Sequence, residues 1–306
     1  MAELEHLRIF IAVAEAGGFA PAARQLQLSA PAVTRAIAAL ERRLGVRLLH
    51  RTTRLVRLTE VGARFVQDAR RILAELEEAE ASARGAHSEP QGELAVTASV
   101  MFGRLHVAPL LFDFLAQHAK VTARALFVDR VVNLMDEGFD VAVRIAPLPD
   151  SSLTAARVGA VRRVLVASPG YLAAHGTPQT PGDLPAHRAI GFAQGGGGVA
   201  PWRFTLPGEP GLYEVDLPRM PLMVNAGEVA IEAAIAGHGL ARALSYQVRE
   251  HIAAGRLQRV LRANEPPAIP VHLVYPEGRQ AAAKVRAFVD FAAARLRAEP
   301  ALQEEA

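Results

Sequence analysis

Hydrophobic residues recur at steps of three and four near the start of the chain, and this spacing predicts a helix with one apolar side. The residues on that side are Leu4, Leu7, Phe10, Ile11 and Val13. We therefore expect a first helix that packs behind the elements that follow, with no chemistry of its own.

Two further helices with a tight joint are predicted over Phe19–Leu44. Pro21 suits the first turn of one helix, because its missing N–H group would have no partner there. Ser29 is a typical N-cap for the next helix, and Pro31 again falls in a first turn. Apolar residues then repeat along one side of this second helix, at Val33, Ile37, Leu40 and Leu44.

The opposite side of that helix carries Thr34, Arg35 and Ala38, which are free to touch another molecule. Two short helices of this kind, with small and basic residues at the start of the second, are typical of a helix-turn-helix. A helix N-terminus also attracts phosphate, since its N–H groups are unpaired and its dipole is positive. An ordinary helical hairpin would give the same pattern, so the pattern alone leaves both interpretations open.

The next stretch favours the DNA-binding interpretation. Two strand-like runs, 46–49 and 55–58, flank the basic sequence Arg51-Thr52-Thr53-Arg54. A basic hairpin directly after a helix-turn-helix predicts a wing that reaches a groove edge or the phosphate backbone.

Residues 4–64 resemble the DNA-binding end of a LysR-type transcriptional regulator. The resemblance lies in LRIFIAVAEAGGFAPAARQL, in APAVTRAIAALERRLGVRLLHRTTR and in the closing LTEVG. It implies an all-α winged helix-turn-helix domain over residues 1–58 that binds double-stranded DNA. The residues expected to contact DNA are Ser29, Ala30, Pro31, Thr34, Arg35, Arg51, Thr53 and Arg54.

Three positions depart from the family pattern. Ala30 stands where a polar residue, often Gln, touches bases, so direct base readout there is lost. Thr34 replaces a usual Ser and keeps the hydroxyl group, whereas Ala20 replaces a Ser or Thr that often caps the preceding helix. Arg35 and the wing arginines keep the pattern expected for backbone contacts.

Charge is concentrated at the same end of the chain. Residues 1–58 hold nine arginines and four glutamates, a net charge of +5, whereas the whole chain has +3. This placement is what attraction to phosphate requires.

Composition excludes several other classes. At 306 residues, with 51% hydrophobic residues, the chain is long enough for two or three domains with apolar cores. It has no cysteine, which excludes disulfides, thiol nucleophiles and cysteine-based metal sites. No signal peptide or membrane-spanning run is apparent, so we expect a cytoplasmic protein without membrane contact.

A long helix is predicted to follow the wing, with Thr59 as its cap. Its apolar stripe consists of Val61, Phe65, Ala69, Ile72, Leu76, Ala79 and Ala83. The resemblance implies a linker and dimerisation helix over residues 59–88, ending in a hinge at 87–92, and therefore a homodimer or homotetramer. Packing of the stripe on its own domain is the alternative.

Beyond residue 89 strand-like runs alternate with helical ones. We predict strands near 92–100, 121–128 and 139–145, and helices over Phe102–His118 and Val131–Glu137. Alternation of this kind predicts a mainly parallel sheet with a ligand site at the carboxyl ends of its strands.

The same region resembles the family's effector-binding domain, which implies two α/β lobes similar to periplasmic solute-binding proteins. We expect it to span 89–306, with one lobe over 89–161 and 266–306 and the other over 162–265. Asn133 and the run 243–245 depart from the family pattern.

A small-molecule site is expected between the lobes. Ser99 and the N–H groups after it could bind an anionic effector at a helix start, Asn225 could face them, and Arg144 could neutralise the charge. The apolar residues expected at this site could form its walls. The full set is Ser99, Val100, Met101, Phe102, Val128, Arg144, Phe192, Trp202 and Asn225. Taken singly, Ser99 could be only a cap, Trp202 only core, and Arg144 only a partner of Asp129 or Asp140.

Catalytic and cofactor motifs are missing. The ten histidines have no metal spacing, and no Gly-x-Ser-x-Gly motif occurs. The run 195–198 is four glycines without the Lys-Ser/Thr of a phosphate loop. We expect no cofactor and no enzyme activity.

The sequence is thus predicted to encode a DNA-binding transcriptional regulator controlled by a small-molecule effector. The alternative is a solute-binding protein or small-molecule enzyme with a helical appendage. A third possibility is an architectural DNA-binding protein without an effector. A solute-binding protein or enzyme would explain residues 90–306 but would leave the basic N-terminal head without a function.

Overall fold

The computed structural model describes residues 2–51, 56–83, 89–148, 153–193, 199–215, 220–276 and 283–303. The chain divides into two compact units. One comprises residues 1–92 with 281–283, and the other comprises 93–280 with 284–306.

The first unit begins with three helices around one apolar core, α1 (Ala2–Ala16), α2 (Phe19–Gln25) and α3 (Ala30–Leu44). The predicted inner side of α3 is confirmed for Val33, Ile37 and Leu40, which are fully buried. Leu44 is more than one-third exposed, because it is the last residue before the left-handed Gly45 ends the helix. The remaining core residues include Phe10, Val13, Ala22 and Ala23.

A hairpin follows, formed by β1 (Leu49–Arg51) and β2 (Val56–Leu58) in antiparallel register. The predicted cap of the next helix is confirmed, since Thr59 Oγ1 accepts a hydrogen bond from the Gly62 N–H group at 2.9 Å. Gly62 has no space for a side chain, because an added Cβ would lie 2.0 Å from the Leu48 carbonyl oxygen. Hairpin and helix are therefore in direct backbone contact.

The long helix α4 (Glu60–Ala83) does not present its whole predicted stripe to the outside. Ala69 is fully buried and Phe65 is half-buried, with its ring 5.7 Å from that of Phe10. Val66 and Leu73, which the sequence analysis did not select, complete this buried side. Phe65 and Ala69 of the stripe thus pack on their own domain, as in the alternative interpretation, whereas Val61 and Ile72 are exposed.

In the second unit, one five-stranded sheet has the order β4-β3-β5-β14-β6. Its strands are β3 (Gly92–Ala98), β4 (Val121–Phe127), β5 (Val141–Ile145), β6 (Leu153–Val161) and β14 (Ile269–Pro276). The helices of this first lobe are α5 (Val100–Phe102), α6 (Ala108–Gln117) and α10 (Ala283–Ala298), and a π-helical segment, Gly103–Val107, joins α5 to α6.

A second five-stranded sheet has the order β11-β8-β12-β7-β13 and forms the second lobe. Its strands are β7 (Arg163–Ala167), β8 (Ala189–Phe192), β11 (Leu222–Val224), β12 (Leu240–Leu244) and β13 (Gln258–Val260). A hairpin of β9 (Trp202–Phe204) and β10 (Tyr213–Val215) accompanies it. The helices are α7 (Pro169–His175), α8 (Gly227–Ile235) and α9 (Ser245–Ala253).

Both sheets are mixed, so the prediction of a mainly parallel sheet is wrong. In the first sheet β14 runs antiparallel to both β5 and β6, and in the second β12 runs antiparallel to β7. The reason lies in the chain path. The chain leaves the first lobe after β6 and returns as β14, and strands joined in this way need not follow the parallel βαβ rule. The exact lobe boundaries stay a prediction.

The helix predicted over Val131–Glu137 is absent, and this segment forms turns. Asn133 explains the difference, because its Oδ1 accepts a hydrogen bond from the Met135 N–H group at 3.1 Å, as in an Asx-turn. The Arg130 guanidinium also pairs with Glu137 at 2.5 Å and ties the two ends of the segment together.

Candidate nucleic-acid interface and effector cleft

The start of α3 uses its own serine for capping. Ser29 Oγ accepts a hydrogen bond from the Ala32 N–H group at 3.3 Å. Thr34 Oγ1 donates to the Ala30 carbonyl oxygen at 3.0 Å, so its hydroxyl proton is also engaged within the helix. Both oxygen atoms keep a free lone pair with which to accept a further hydrogen bond.

Four predicted DNA-contact residues form one exposed surface at this helix start, which we call the α3 surface: Ala30, Pro31, Thr34 and Arg35. Behind it Val33 and Ile37 are fully buried. This arrangement holds the surface rigidly on the core. The side chain of Arg51 and the whole of Thr53 and Arg54 lie outside the described residues.

The start of α5 in the second unit is built differently. Ser99 occupies the N-cap position but makes no capping hydrogen bond with its side chain. Instead Asp129 Oδ1 accepts from the Val100 N–H group at 3.0 Å. The expected anion seat at this helix start is therefore filled by a carboxylate of the protein itself. From the sequence, Asp129 is expected only as an alternative partner of Arg144.

Ser99 Oγ is buried and has no hydrogen-bond partner within the described part of the chain. Tyr246, from α9 of the second lobe, lies close by. Burial raises the pKa of the Tyr246 hydroxyl to about 12, and the neighbouring Ser99 and Gln247 side chains oppose that rise. The Ser99 oxygen nevertheless forms no hydrogen bond within the described residues. Sequence reasoning missed Tyr246 and Gln247, which no motif marks.

Direct contacts join the two lobes around α5. The ring of Phe102 meets that of Tyr246 edge to face at 5.3 Å. Arg104 Nη2 lies 2.7 Å from Glu228 Oε1 at the start of α8. Met101 Sδ approaches Gly227 so closely that a Cβ added there would lie 3.5 Å from the sulfur. The starts of α5 and α8 thus lie next to each other where the two lobes meet.

Two predicted cleft residues turn out to be core. Trp202 is 1% exposed and lies in the apolar core of the second lobe with Phe204 and Val215, because its strand β9 folds onto that core. Phe102 is fully buried against Tyr246 and His106, so it supports the cleft from behind rather than lining it.

The other predicted residues have varied surroundings. Asn225 is exposed two residues before α8, and Phe192 is half-buried at the end of β8. Val128 packs against a core cluster of the first lobe. Arg144 Nη2 donates to the Val132 carbonyl oxygen at 2.9 Å, not to Asp129 or Asp140.

The residues described in the structure include no group of three or more His, Cys, Asp or Glu side chains able to hold a metal ion. None of the helices searched in the described ranges is long and apolar enough to cross a bilayer. The tetraglycine run 195–198 lies outside the described residues.

A basic three-helix head with a β-hairpin, followed by two mixed α/β lobes, defines the class of DNA-binding regulators with an effector domain. Residues 4–63 match the family of bacterial regulatory helix-turn-helix proteins of the lysR type, and residues 87–297 match the LysR substrate binding domain. The chain therefore belongs to the LysR family of bacterial transcriptional regulators.

Curated relatives and solved structures agree with this assignment. An HTH-type transcriptional regulator of Xanthomonas campestris pv. campestris is 36% identical, covering 96% of this chain and 86% of the relative. An HTH-type transcriptional repressor of Pseudomonas aeruginosa is 33% identical over 99% of this chain and 95% of its own. The structure of CrgA from Neisseria meningitidis is 32% identical with a TM-score of 0.60, covering 95% of this chain and 98% of that one.

Proposed function

We propose that this LysR-type regulator reads promoter DNA through the α3 surface. The observation that carries the proposal is the exposure of Ala30, Pro31, Thr34 and Arg35 on the outer side of a helix whose inner side is buried. Arg35 and the wing arginines would bind phosphate or the minor groove. Ser29 would accept or donate hydrogen bonds at base edges or phosphates, whereas Thr34, whose hydroxyl proton is engaged, would accept them at base edges.

Two variants on the same helix test this proposal. Arg35→Ala removes a cation from the helix start, and Arg42→Ala removes the same charge from an exposed position in its last turn. We expect Arg35→Ala to weaken promoter binding by about tenfold or more and to reduce the salt slope by about 1. Fluorescence anisotropy over a salt series measures both.

Arg42→Ala is the matched control and should keep most of the affinity. Equal losses in the two variants would mean that α3 contributes only general positive charge, and the proposed surface would be wrong.

The effector is proposed to bind in the inter-lobe cleft at the adjacent starts of α5 and α8. The Val100 N–H group donates to Asp129 Oδ1 at 3.0 Å. A carboxylate or similar anion on the effector would take the place of Asp129 as the acceptor of this N–H group. Ser99 Oγ, which has no partner within the described residues, would gain one. Binding would alter lobe closure, because Phe102–Tyr246 and Arg104–Glu228 span the lobes.

A thermal-shift screen of small carboxylates against the full chain tests the effector proposal. The Asp129→Asn variant removes the competing carboxylate, so an anionic effector should raise the melting temperature of this variant more than that of the unaltered protein. An effector that stabilises the unaltered protein but not Asp129→Asn would instead be recognised through the Asp129 charge, and the anionic proposal would be discarded.

Dimerisation is proposed to use the exposed side of α4. Val61 and Ile72 are both exposed, and their spacing of eleven residues puts them on nearly the same side of a helix. Ile72→Asp should therefore shift the protein from dimer or tetramer toward monomer in light scattering. Ala63→Asp changes an exposed position on the opposite side and should leave the assembly intact.

A further inference from the structure

Three arginines from three strands of the second lobe line one small depression, with a cavity volume of about 10 Å³. They are Arg163 on β7, Arg203 on β9 and Arg242 on β12, and the rest of the lining is apolar except for Glu265. The register of β7 and β12 pairs Leu244 with Arg163 and Arg242 with Leu165. Because side chains two residues apart share a face of a strand, Arg163 and Arg242 lie diagonally on the same face of the sheet.

The partners of these guanidinium groups do not neutralise all three charges. Arg203 Nε donates to Glu214 Oε1 at 2.6 Å. Arg242 donates only to carbonyl oxygens, at 2.8 Å to Pro201 and 3.4 Å to Ala200. Carbonyl oxygens satisfy its N–H groups but leave its positive charge uncompensated.

Arg163 is the most available member of the cluster. Its side chain is exposed, and its guanidinium makes no hydrogen bond or ion pair in the described part of the chain. Glu265 also lines the depression, but it forms a bidentate ion pair with Arg259. The described side chains around the depression therefore leave a surplus of positive charge.

The cations act on one another electrostatically. Burial, and to a smaller extent the positive charges of Arg163 and Arg203, together lower the pKa of Arg242 to about 10. Burial and the charge of Arg203 lower the pKa of Arg163. Holding like charges together costs free energy, which a bound anion would recover.

We propose that Arg163, Arg203 and Arg242 bind a small polyvalent oxyanion, such as phosphate, at the mouth of this depression on the second lobe. Planar guanidinium groups suit this chemistry, because each presents paired N–H donors to two oxygen atoms of one anion. None of the three arginines belongs to the residues proposed for the effector or for the α3 surface. The site therefore adds a second ligand to the proposed function and does not depend on it.

The test uses the full chain and inorganic phosphate, with chloride at matched ionic strength as the reference. Phosphate at about five times its dissociation constant should raise the melting temperature by about 2–4 °C. Trp202 fluorescence follows the second unit specifically, since it is the protein's single tryptophan. Isothermal titration calorimetry gives the dissociation constant directly.

Arg163→Gln is the decisive variant, because this exposed side chain makes no hydrogen bond or ion pair with the described residues that the substitution would break. It should weaken phosphate binding by about tenfold or more and reduce the melting shift to below about 1 °C. The phosphate affinity of Arg163→Lys should lie between those of the unaltered protein and Arg163→Gln, since lysine keeps the charge but not the fork of donors.

Two control variants carry the same change of charge elsewhere. Arg249→Gln lies exposed on α9 of the same lobe, and Arg42→Gln removes the same charge from an exposed position in the head. Both should keep the phosphate response. The proposal is overturned if phosphate gives no shift beyond chloride, or if Arg163→Gln and Arg249→Gln respond alike.

Discussion

Ser29 and Ser99 each occupy the position before a helix of this protein, and the two serines do different work. Ser29 caps α3 in the DNA-binding head, because its Oγ accepts from the Ala32 N–H group at 3.3 Å. Ser99 precedes α5 in the effector domain, yet its Oγ has no partner within the described residues and Asp129 pairs with the Val100 N–H group. The same local sequence signal thus marks a folding device in one unit and a candidate binding site in the other.

The difference teaches how each surface remains available for function. In the head, the fold satisfies the helix start locally, and the neighbouring side chains point outward on a rigid support. In the cleft, a residue 29 positions away supplies the capping acceptor. A ligand can compete for that acceptor's place, whereas a local cap such as Ser29 is not easily displaced.

The largest expected effect concerns the support behind the cleft. Phe102→Ala removes a fully buried ring that contacts Tyr246 and His106, and it should lower the free energy of unfolding of the second unit by about 3–5 kcal/mol. Urea unfolding followed by Trp202 fluorescence measures the loss. Phe112→Ala makes the same truncation at a 69% exposed position and should change stability by less than about 0.5 kcal/mol. Similar losses for both would contradict a supporting role.

A medium effect is expected for the capping serine of the head. Ser29→Ala should destabilise the first unit by about 1 kcal/mol, since the Ala32 N–H group loses its acceptor. Thermal unfolding followed by far-ultraviolet circular dichroism measures this loss, and Ser29→Asp should restore most of the stability because it supplies another acceptor. If Ser29→Ala loses DNA affinity without losing stability, Ser29 serves the DNA and not the fold.

The sequence predicted the head well, because its signals are local. Periodicity identified the buried side of α3, Ser29 its start and Thr59 the start of α4, and the family resemblance identified two lobes. The cleft was predicted less well. Asp129, Tyr246 and Gln247 come from three separate segments, and only the fold brings them near Ser99. The burial of Trp202 and the mixed pairing of β14 likewise depend on distant parts of the chain.

A smaller effect on stability is expected when the pH is lowered, through the titration of His106. Burial lowers the pKa of His106, which lies beside Phe102 and Tyr246 and has no partner for its Nε2 atom in the described ranges. The folded protein therefore binds fewer protons here than the unfolded chain. Stability is fully present above the unfolded pKa of about 6.5 and is lost as the pH falls below it.

His106→Phe keeps an aromatic ring and removes the titration. Its melting temperature should fall less between pH 7.5 and 5.5 than that of the unaltered protein, by an amount equivalent to a few tenths of a kcal/mol after allowance for solvent screening. Burial also lowers the pKa values of His187 and His272, so some acid sensitivity should remain. His238→Phe, at an exposed position, is the control, and an equal change there would remove His106 from the explanation.

The smallest expected effect separates the two serines most clearly. Ser99→Ala should leave the free energy of unfolding within about 0.5 kcal/mol of the unaltered protein, because its buried oxygen has no hydrogen bond to lose. Asp129→Ala should cost about 1 kcal/mol at the same helix start, since it removes the acceptor of the Val100 N–H group. Urea unfolding followed by Trp202 fluorescence measures the free energy of unfolding of both variants. A cost for Ser99→Ala as large as that for Ser29→Ala would mean that Ser99 also caps its helix, and its hydroxyl would then have no capacity reserved for an effector.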